Sequence, residues 1–145
     1  MTDRDARVIH GEPPENAWTY LATRLTIWVD GEPLRAGEAV ARLGAPLHLI
    51  TAWNPYMAQR TEAENAAANA RLEADLLACV PVVWASRGED PVDDYHEMGF
   101  AVLGLDRATA LRIGVDYGQE AIFELDATLR TVIECHDAWS VAREL

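Results

Sequence analysis

The sequence has 145 residues, 50% of them hydrophobic, which fits one domain with a single core and excludes disorder as the default state. Acidic residues outnumber basic ones 24 to 12, every basic residue is arginine, and no lysine exists to form a Schiff base. This balance disfavours a nucleic-acid backbone or an anionic membrane as partner; with no run of transmembrane length and no signal-peptide core in the charged N-terminus, a cytoplasmic protein is expected.

In chain order, "PPENAWTYLATRL" predicts a helix opening after Pro14, with Trp18 and Leu21 on one side. "LTIWVDGEPLRAG" reads as a strand running into a turn at Asp30-Gly31, and "RAGEAVARLG" as a short helix stopped by Gly44. "PLHLITAW" is apolar on both faces and predicts a central strand, ended at Asn54-Pro55 because proline cannot donate to the ladder. "TEAE" at 61–64 is a capping box, in which the Thr61 hydroxyl and the Glu64 carboxylate each satisfy a free backbone N–H; a helix follows to about Cys79. "PVVWAS" predicts a strand, "RGEDPVDDYHE" an acidic loop, and "MGFAVLGL" another strand. Asp106 caps the helix "RATALRIGVDY", which Gly118 ends. "QEAIFELD" and "LRTVIEC" are two strands joined at Ala127-Thr128, and "HDAWSVAREL" reads as a short terminal helix.

The middle of this list runs β-α-β-β-α-β. The fold class expected is therefore α+β, with a ferredoxin-like split βαβ core over about residues 46–135, added strands and short terminal helices, all in one domain spanning 1–145. Its connectivity brings polar residues to one end of the sheet: the exit of the "HLITAW" strand, the start of the long helix, the 87–97 loop and the start of the "QEAIFELD" strand.

Asn65, Asn69, Leu72 and Leu76 are spaced four, three and four apart and share one helix face, half carboxamide and half leucine. A buried Asn must pair both its oxygen and its NH₂, either with loop carbonyls or with a ligand. Asn54 shapes the strand exit beside a helix N-terminus that favours an anion, for which Arg60 and Arg87 offer counter-charge. Glu97 and His96 are the acid/base candidates, because both groups sit near neutral pKa when partly buried. Gln119 shares the inward strand face of Ala121 and Phe123, and His48 reads as a hydrogen-bonded core histidine. Asp93, Asp94, His96 and Glu97 lack the spacing of known calcium or zinc motifs, so a solvated acidic turn is expected and no metal or other cofactor. Cys79 and Cys135 have no CxxC partner and read as buried, reduced thiols. No nucleophile elbow, glycine-rich phosphate cradle or dinucleotide fingerprint occurs.

The series "TAWNP", "ENAAAN", "HE" before an apolar strand and "YGQEAIFEL" resembles a bacterial family, domain of unknown function 3293, from about Leu49 to Cys135. By that resemblance Asn54, Glu64, Asn65, Asn69, Glu97 and Gln119 fall on signature positions. Tyr56-Met57 stands where the family shows small polar residues, and the family name carries no activity.

The expected function is binding of a small polar or anionic molecule at one end of the sheet. Asn54, Asn65, Asn69, Arg87 and Gln119 would hold it, and Glu97 with His96 would serve cofactor-free acid/base chemistry. The competing expectation is an acidic interaction module that meets a protein partner or a second copy of itself, without catalysis.

Overall fold

The computed structural model describes residues 5–145. Its elements are β1 (Arg7–Gly11), α1 (Asn16–Leu21), β2 (Arg24–Val29), β3 (Glu32–Leu34), α2 (Ala36–Leu43), β4 (Leu47–Ile50) and α3 (Glu62–Leu77). There follow β5 (Val83–Glu89), β6 (His96–Leu103), α4 (Arg107–Asp116), β7 (Ala121–Leu125), β8 (Leu129–Glu134) and β9 (Trp139–Glu144), and a 3₁₀ turn at Pro55–Met57 precedes α3. The nine strands form one antiparallel sheet in the order β1-β9-β8-β7-β4-β6-β5-β2-β3, giving a mixed α and β architecture. No helix among the described residues is long and apolar enough to cross a membrane.

Local chemistry sets the element ends. Thr61 Oγ1 accepts from the Glu64 N–H (3.1 Å) and Glu64 Oε1 from the Thr61 N–H (3.0 Å), so α3 opens with both halves of the capping box made. Asp106 Oδ1 accepts from the Thr109 N–H at 2.7 Å and starts α4. β4 is buried along its whole length and lies between β6 and β7, as its two apolar faces require.

Side chains alternate between the two sheet faces. One face carries α3 and α4, with Ile50, Leu72, Leu76, Val102, Ile122 and Ile133 in its core. The other carries α1 and α2. There Leu25, Val40, Leu47, Leu49 and Ala101 form one cluster, and Ala17, Leu21, Val132, Trp139 and Val141 another. α3 takes the chain from β4 to β5 and α4 takes it from β6 to β7, each crossing one intervening strand on the same face.

Three expectations need correction. The segment "HDAWSVAREL" forms strand β9, not a helix. It pairs with β8 on one side and β1 on the other, and its period-two Trp139 and Val141 pack against α1. Between two strands, ladder bonds and burial outweigh a weak helix preference. The acidic loop shrinks to residues 90–95, because Arg87, Gly88 and Glu89 pair with Met98, Glu97 and His96 in a β5–β6 hairpin. Finally, Cys79 is exposed, whereas Cys135 is buried and its thiol is pushed up to about 12, first by burial and then by Glu134 and Glu120. Cys135 is thus a protonated thiol in the core.

Candidate functional site

Past Ile50 the chain leaves the sheet in an irregular segment held by side chains. Thr51 Oγ1 donates to the Met98 carbonyl (2.5 Å) and accepts from the Trp53 N–H (3.0 Å). Asn69 Oδ1 accepts from the Ala52 N–H (2.9 Å), and its Nδ2 donates to the Met98 carbonyl (2.8 Å). One turn earlier on α3, Asn65 Oδ1 accepts from the Asn54 N–H (2.8 Å) and Nδ2 donates to Asn54 Oδ1 (3.0 Å). The carboxamides thus replace the ladder partners that the exit has lost. Asn54 takes the left-handed conformation (φ 45°), and Tyr56 N–H donates to the Gly118 carbonyl at 2.7 Å.

Where the exit crosses β6, Gly99 makes room. A Cβ there would lie 2.6 Å from the Ile50 carbonyl oxygen and 3.1 Å from Thr51 Cα, so two backbones meet at a distance only glycine permits. Gly99→Ala is expected to lose about 1–3 kcal/mol by forcing them apart. A urea titration would show this as a lower midpoint at unchanged slope.

On the α1 face, beneath this exit, lies a cavity of about 390 Å³. Leu49, Gly99, Phe123 and Val132 of the sheet line it, with Asn16, Thr19 and Tyr20 of α1 opposite and Trp53, Asn54 and Gln119 of the surrounding loops. Its polar centre has two carboxylates. Glu120 Oε1 accepts from Asn16 Nδ2 and from the Tyr20 hydroxyl, each at 3.0 Å. Glu97 accepts from the Tyr95 hydroxyl, which itself accepts from Asn54 Nδ2 at 3.0 Å. Burial raises the Glu97 pKa above the usual carboxylate range, and the Tyr95 hydrogen bond only partly opposes it. Burial also raises the Tyr20 hydroxyl, helped by Glu120 and Glu97, so this phenol stays protonated and donates. Glu89 and Asp90 add further acid to the lining, which among the described residues includes no Arg, Lys or His.

Of the residues singled out in the sequence, Asn54, Glu97 and Gln119 meet at this cavity. Gln119 Nε2 donates to the carbonyls of Trp53 (3.2 Å) and Tyr117 (3.1 Å), fixing its amide at the rim. Asn65 and Asn69 stand behind it on the α3 face, their amides bonded to the strand exit and β6 rather than lining the cavity. Arg87 lies on the opposite sheet face from Ser86 and Gly88; its Nε donates to Glu89 at 3.1 Å and its guanidinium sits 5.4 Å from the centre of the Trp28 ring. His96 is exposed at the start of β6, its ring 6.4 Å from that of Trp53. Arg60 contributes a backbone N–H to Asn54 Oδ1 and does not line the cavity. His48 is a bonded core histidine, its Nε2 2.8 Å from Glu124. Among the described residues no group of three or more His, Cys, Asp or Glu side chains converges as a metal centre.

Sequence reasoning missed Tyr20, Asn16, Tyr95 and Glu120. The first two reach Glu120 from 100 and 104 positions away in the chain, and no local pattern reports that contact. Tyr95 sits one residue before the His96-Glu97 pair and was legible only as part of the loop.

Fold and site together define an antiparallel α and β domain with an acidic, tyrosine-lined cavity on the sheet face opposite its long helix. The chain belongs to the family described as "Protein of unknown function (DUF3293)", whose match covers residues 50–122 and so runs from the end of β4 to the start of β7. No curated protein and no solved structure matches it.

Proposed function

We propose that this chain, a cytoplasmic single-domain protein, binds a small polar molecule in the 390 Å³ cavity, and that the ligand is neutral or cationic. The observation that carries this reading is the lining itself: Glu97 and Glu120 face tyrosine hydroxyls, and among the described residues no basic side chain lines the cavity to receive an anion. This narrows the sequence expectation, since Arg87 points to the other face. Asn54 and Gln119 orient the ligand at the rim, and Asn65 and Asn69 position the segment that carries Trp53 and Asn54. Where the bound molecule reacts, Glu97 is the group that exchanges a proton, since burial raises its pKa above that of an exposed carboxylate. The strand order β7-β4-β6-β5, with α3 and α4 crossing on one face, supports reading the core as a ferredoxin-like split βαβ unit. β8, β9 and β1 extend it at one edge, and β2 and β3 at the other.

The test is a thermal-shift screen of small amines, amides and polyols on wild type and Glu97→Gln. A ligand at about 100 times its Kd stabilises wild type by about 3 kcal/mol, and the variant is expected to lose that shift. The signs differ for the free protein. A carboxyl whose pKa is raised on folding weakens stability above that pKa, and the deficit is relieved as pH falls through it. Free Glu97→Gln is therefore expected to melt at or above the wild-type temperature at neutral pH. A variant that melts early and still binds would remove Glu97 from the site.

A protein partner is the second reading, favoured by Tyr56 and Met57. They are 77% and 70% exposed, both have positive φ, and Met57 also lines the cavity. Under that reading Tyr56→Ser abolishes capture of the partner and leaves small-molecule binding untouched.

A further inference from the structure

Glu89, Asp90, Glu97 and Glu120 all line the 390 Å³ cavity, and they are not equivalent. Glu89 is paired with Arg87 at 3.0 Å, and Asp90 Oδ1 accepts the backbone N–H groups of Val92 (2.8 Å) and Asp93 (3.0 Å). Glu97 and Glu120 are half-buried and, among the described residues, have no basic side chain within ion-pair distance. Their partners are neutral: the Tyr95 hydroxyl for Glu97, and Asn16 Nδ2 and the Tyr20 hydroxyl for Glu120. Both bonds to Glu120 fall on Oε1, and no described side chain donates to its Oε2.

The fold brings these two carboxylates to one end of the cavity. β6 and β7 both pair antiparallel with β4, so they run the same way and begin at the same end of the sheet. Glu97 is the second residue of β6, and Glu120 directly precedes β7. Only β4 lies between these strands, which sets them two spacings, about 10 Å, apart. Tyr20 stands beside both acids, donating to Glu120 and lying within the field of Glu97.

The floor beyond them is apolar. Leu49, Phe123 and Val132 are direct cross-strand neighbours on β4, β7 and β8, and all three line the cavity. Trp53 and Tyr20 add aromatic rings to its wall. Aromatic rings favour a cation over a neutral molecule of the same shape, because the ring quadrupole attracts positive charge within about 6 Å. Half-burying two carboxylates at one cavity without a cation is unfavourable, and burial accordingly raises the Glu97 pKa. A cation between them would relieve that cost. A primary ammonium, with three N–H donors, can also engage the oxygens that the protein leaves open. An inorganic cation would leave the apolar row uncovered.

We propose that the ligand of this cavity is a primary amine in its ammonium form on an apolar or aromatic body, with its head between Glu97 and Glu120 and its body on the Leu49–Phe123–Val132 row. This assignment rests on the reading of the cavity as a small-molecule site and names the ligand's class.

The test is a calorimetric titration of the full chain at constant ionic strength, with melting temperature followed in parallel. The probes are benzylamine (head and body), benzyl alcohol (the body with a neutral head), ammonium chloride (the head alone) and magnesium chloride. Benzylamine is expected to saturate and to raise the melting temperature. Its affinity is expected to exceed that of benzyl alcohol at least about tenfold, since one charge-assisted hydrogen bond is worth about a factor of ten or more. Neither salt is expected to saturate. Glu120→Gln keeps an acceptor for Asn16 and Tyr20 but loses the charge, and it is expected to abolish the preference for the amine. Equal affinity for benzylamine and benzyl alcohol, an unchanged preference in Glu120→Gln, saturation by magnesium chloride alone, or binding of none of the probes overturns the proposal. Equal binding of the two organic probes leaves the cavity a small-molecule site. That wider reading fails only if the screen of amides and polyols is also silent, so the two failures are distinguishable.

Discussion

Asn69→Leu is expected to lower stability by about 2–4 kcal/mol, although leucine is the more hydrophobic residue and the site is buried. The variant removes the acceptor for the Ala52 N–H and one of two donors to the Met98 carbonyl. Ala52 is itself buried, so its N–H would have no water to turn to. Leucine regains part of this by its own burial, which is why the figure stays below that of a broken buried ion pair. Asn65→Leu is expected to act similarly through the Asn54 N–H, and it also frees Asn54 Oδ1, the acceptor for the Arg60 N–H. Denaturant unfolding would show lower midpoints in both variants. If either melted like wild type, the carboxamides would not be what holds the strand exit. Any loss of ligand binding in these variants follows from displaced Trp53 and Asn54, so Glu97→Gln, which leaves the exit intact, is the cleaner probe of the cavity.

The second large effect concerns Glu124, on the sheet face under α4. Its Oε2 lies 2.8 Å from the Nε2 of buried His48, and its two oxygens accept from Arg107 Nε (3.0 Å) and Nη2 (2.5 Å). These partners, His48 first, hold its pKa at about 2 against burial acting the other way. A carboxylate whose pKa falls on folding contributes stability that is full above its unfolded value and lost as pH drops through the folded one. The shift from 4.5 to about 2 corresponds to about 3 kcal/mol, and the side chain is only 12% exposed, so solvent screening takes little of it. Melting temperature is therefore expected to fall steeply between about pH 4.5 and pH 2. Glu124→Gln is expected to lose about 2–3 kcal/mol at neutral pH and to flatten that acid limb. Equal acid sensitivity in the variant and wild type would mean that other carboxylates govern the transition.

Much of the fold was legible because its signals are local. The Thr61–Glu64 capping box, the Asp106 cap and the glycines at 44 and 118 mark helix ends through bonds made within a turn. The apolar run at β4 announces a central strand because both its faces must be covered. The terminal segment misled because a ten-residue stretch reports its own weak preference and not the two strands waiting beside it. The cysteines misled in part for a related reason. Cys79 follows the last turn of α3, where one residue of phase separates a buried side chain from an exposed one.

For the site, the sequence by itself determined that Asn54, Glu97 and Gln119 gather at one end of the sheet, since strand direction alternates along the chain and carries them there. It also determined that Asn65 and Asn69 share a buried helix face, because helical period is a local property. Only the tertiary structure decided which side of the sheet each residue serves. Glu97 and Arg87 lie close in the β5–β6 hairpin, yet strand alternation sends one into the cavity and the other over Trp28. Only the tertiary structure brought α1 against the start of β7, so that Asn16 and Tyr20 reach Glu120 and give the cavity its acidic, hydrogen-bonded centre. Contacts between segments so distant in the chain are set by how whole faces pack, and no stretch of sequence encodes them alone.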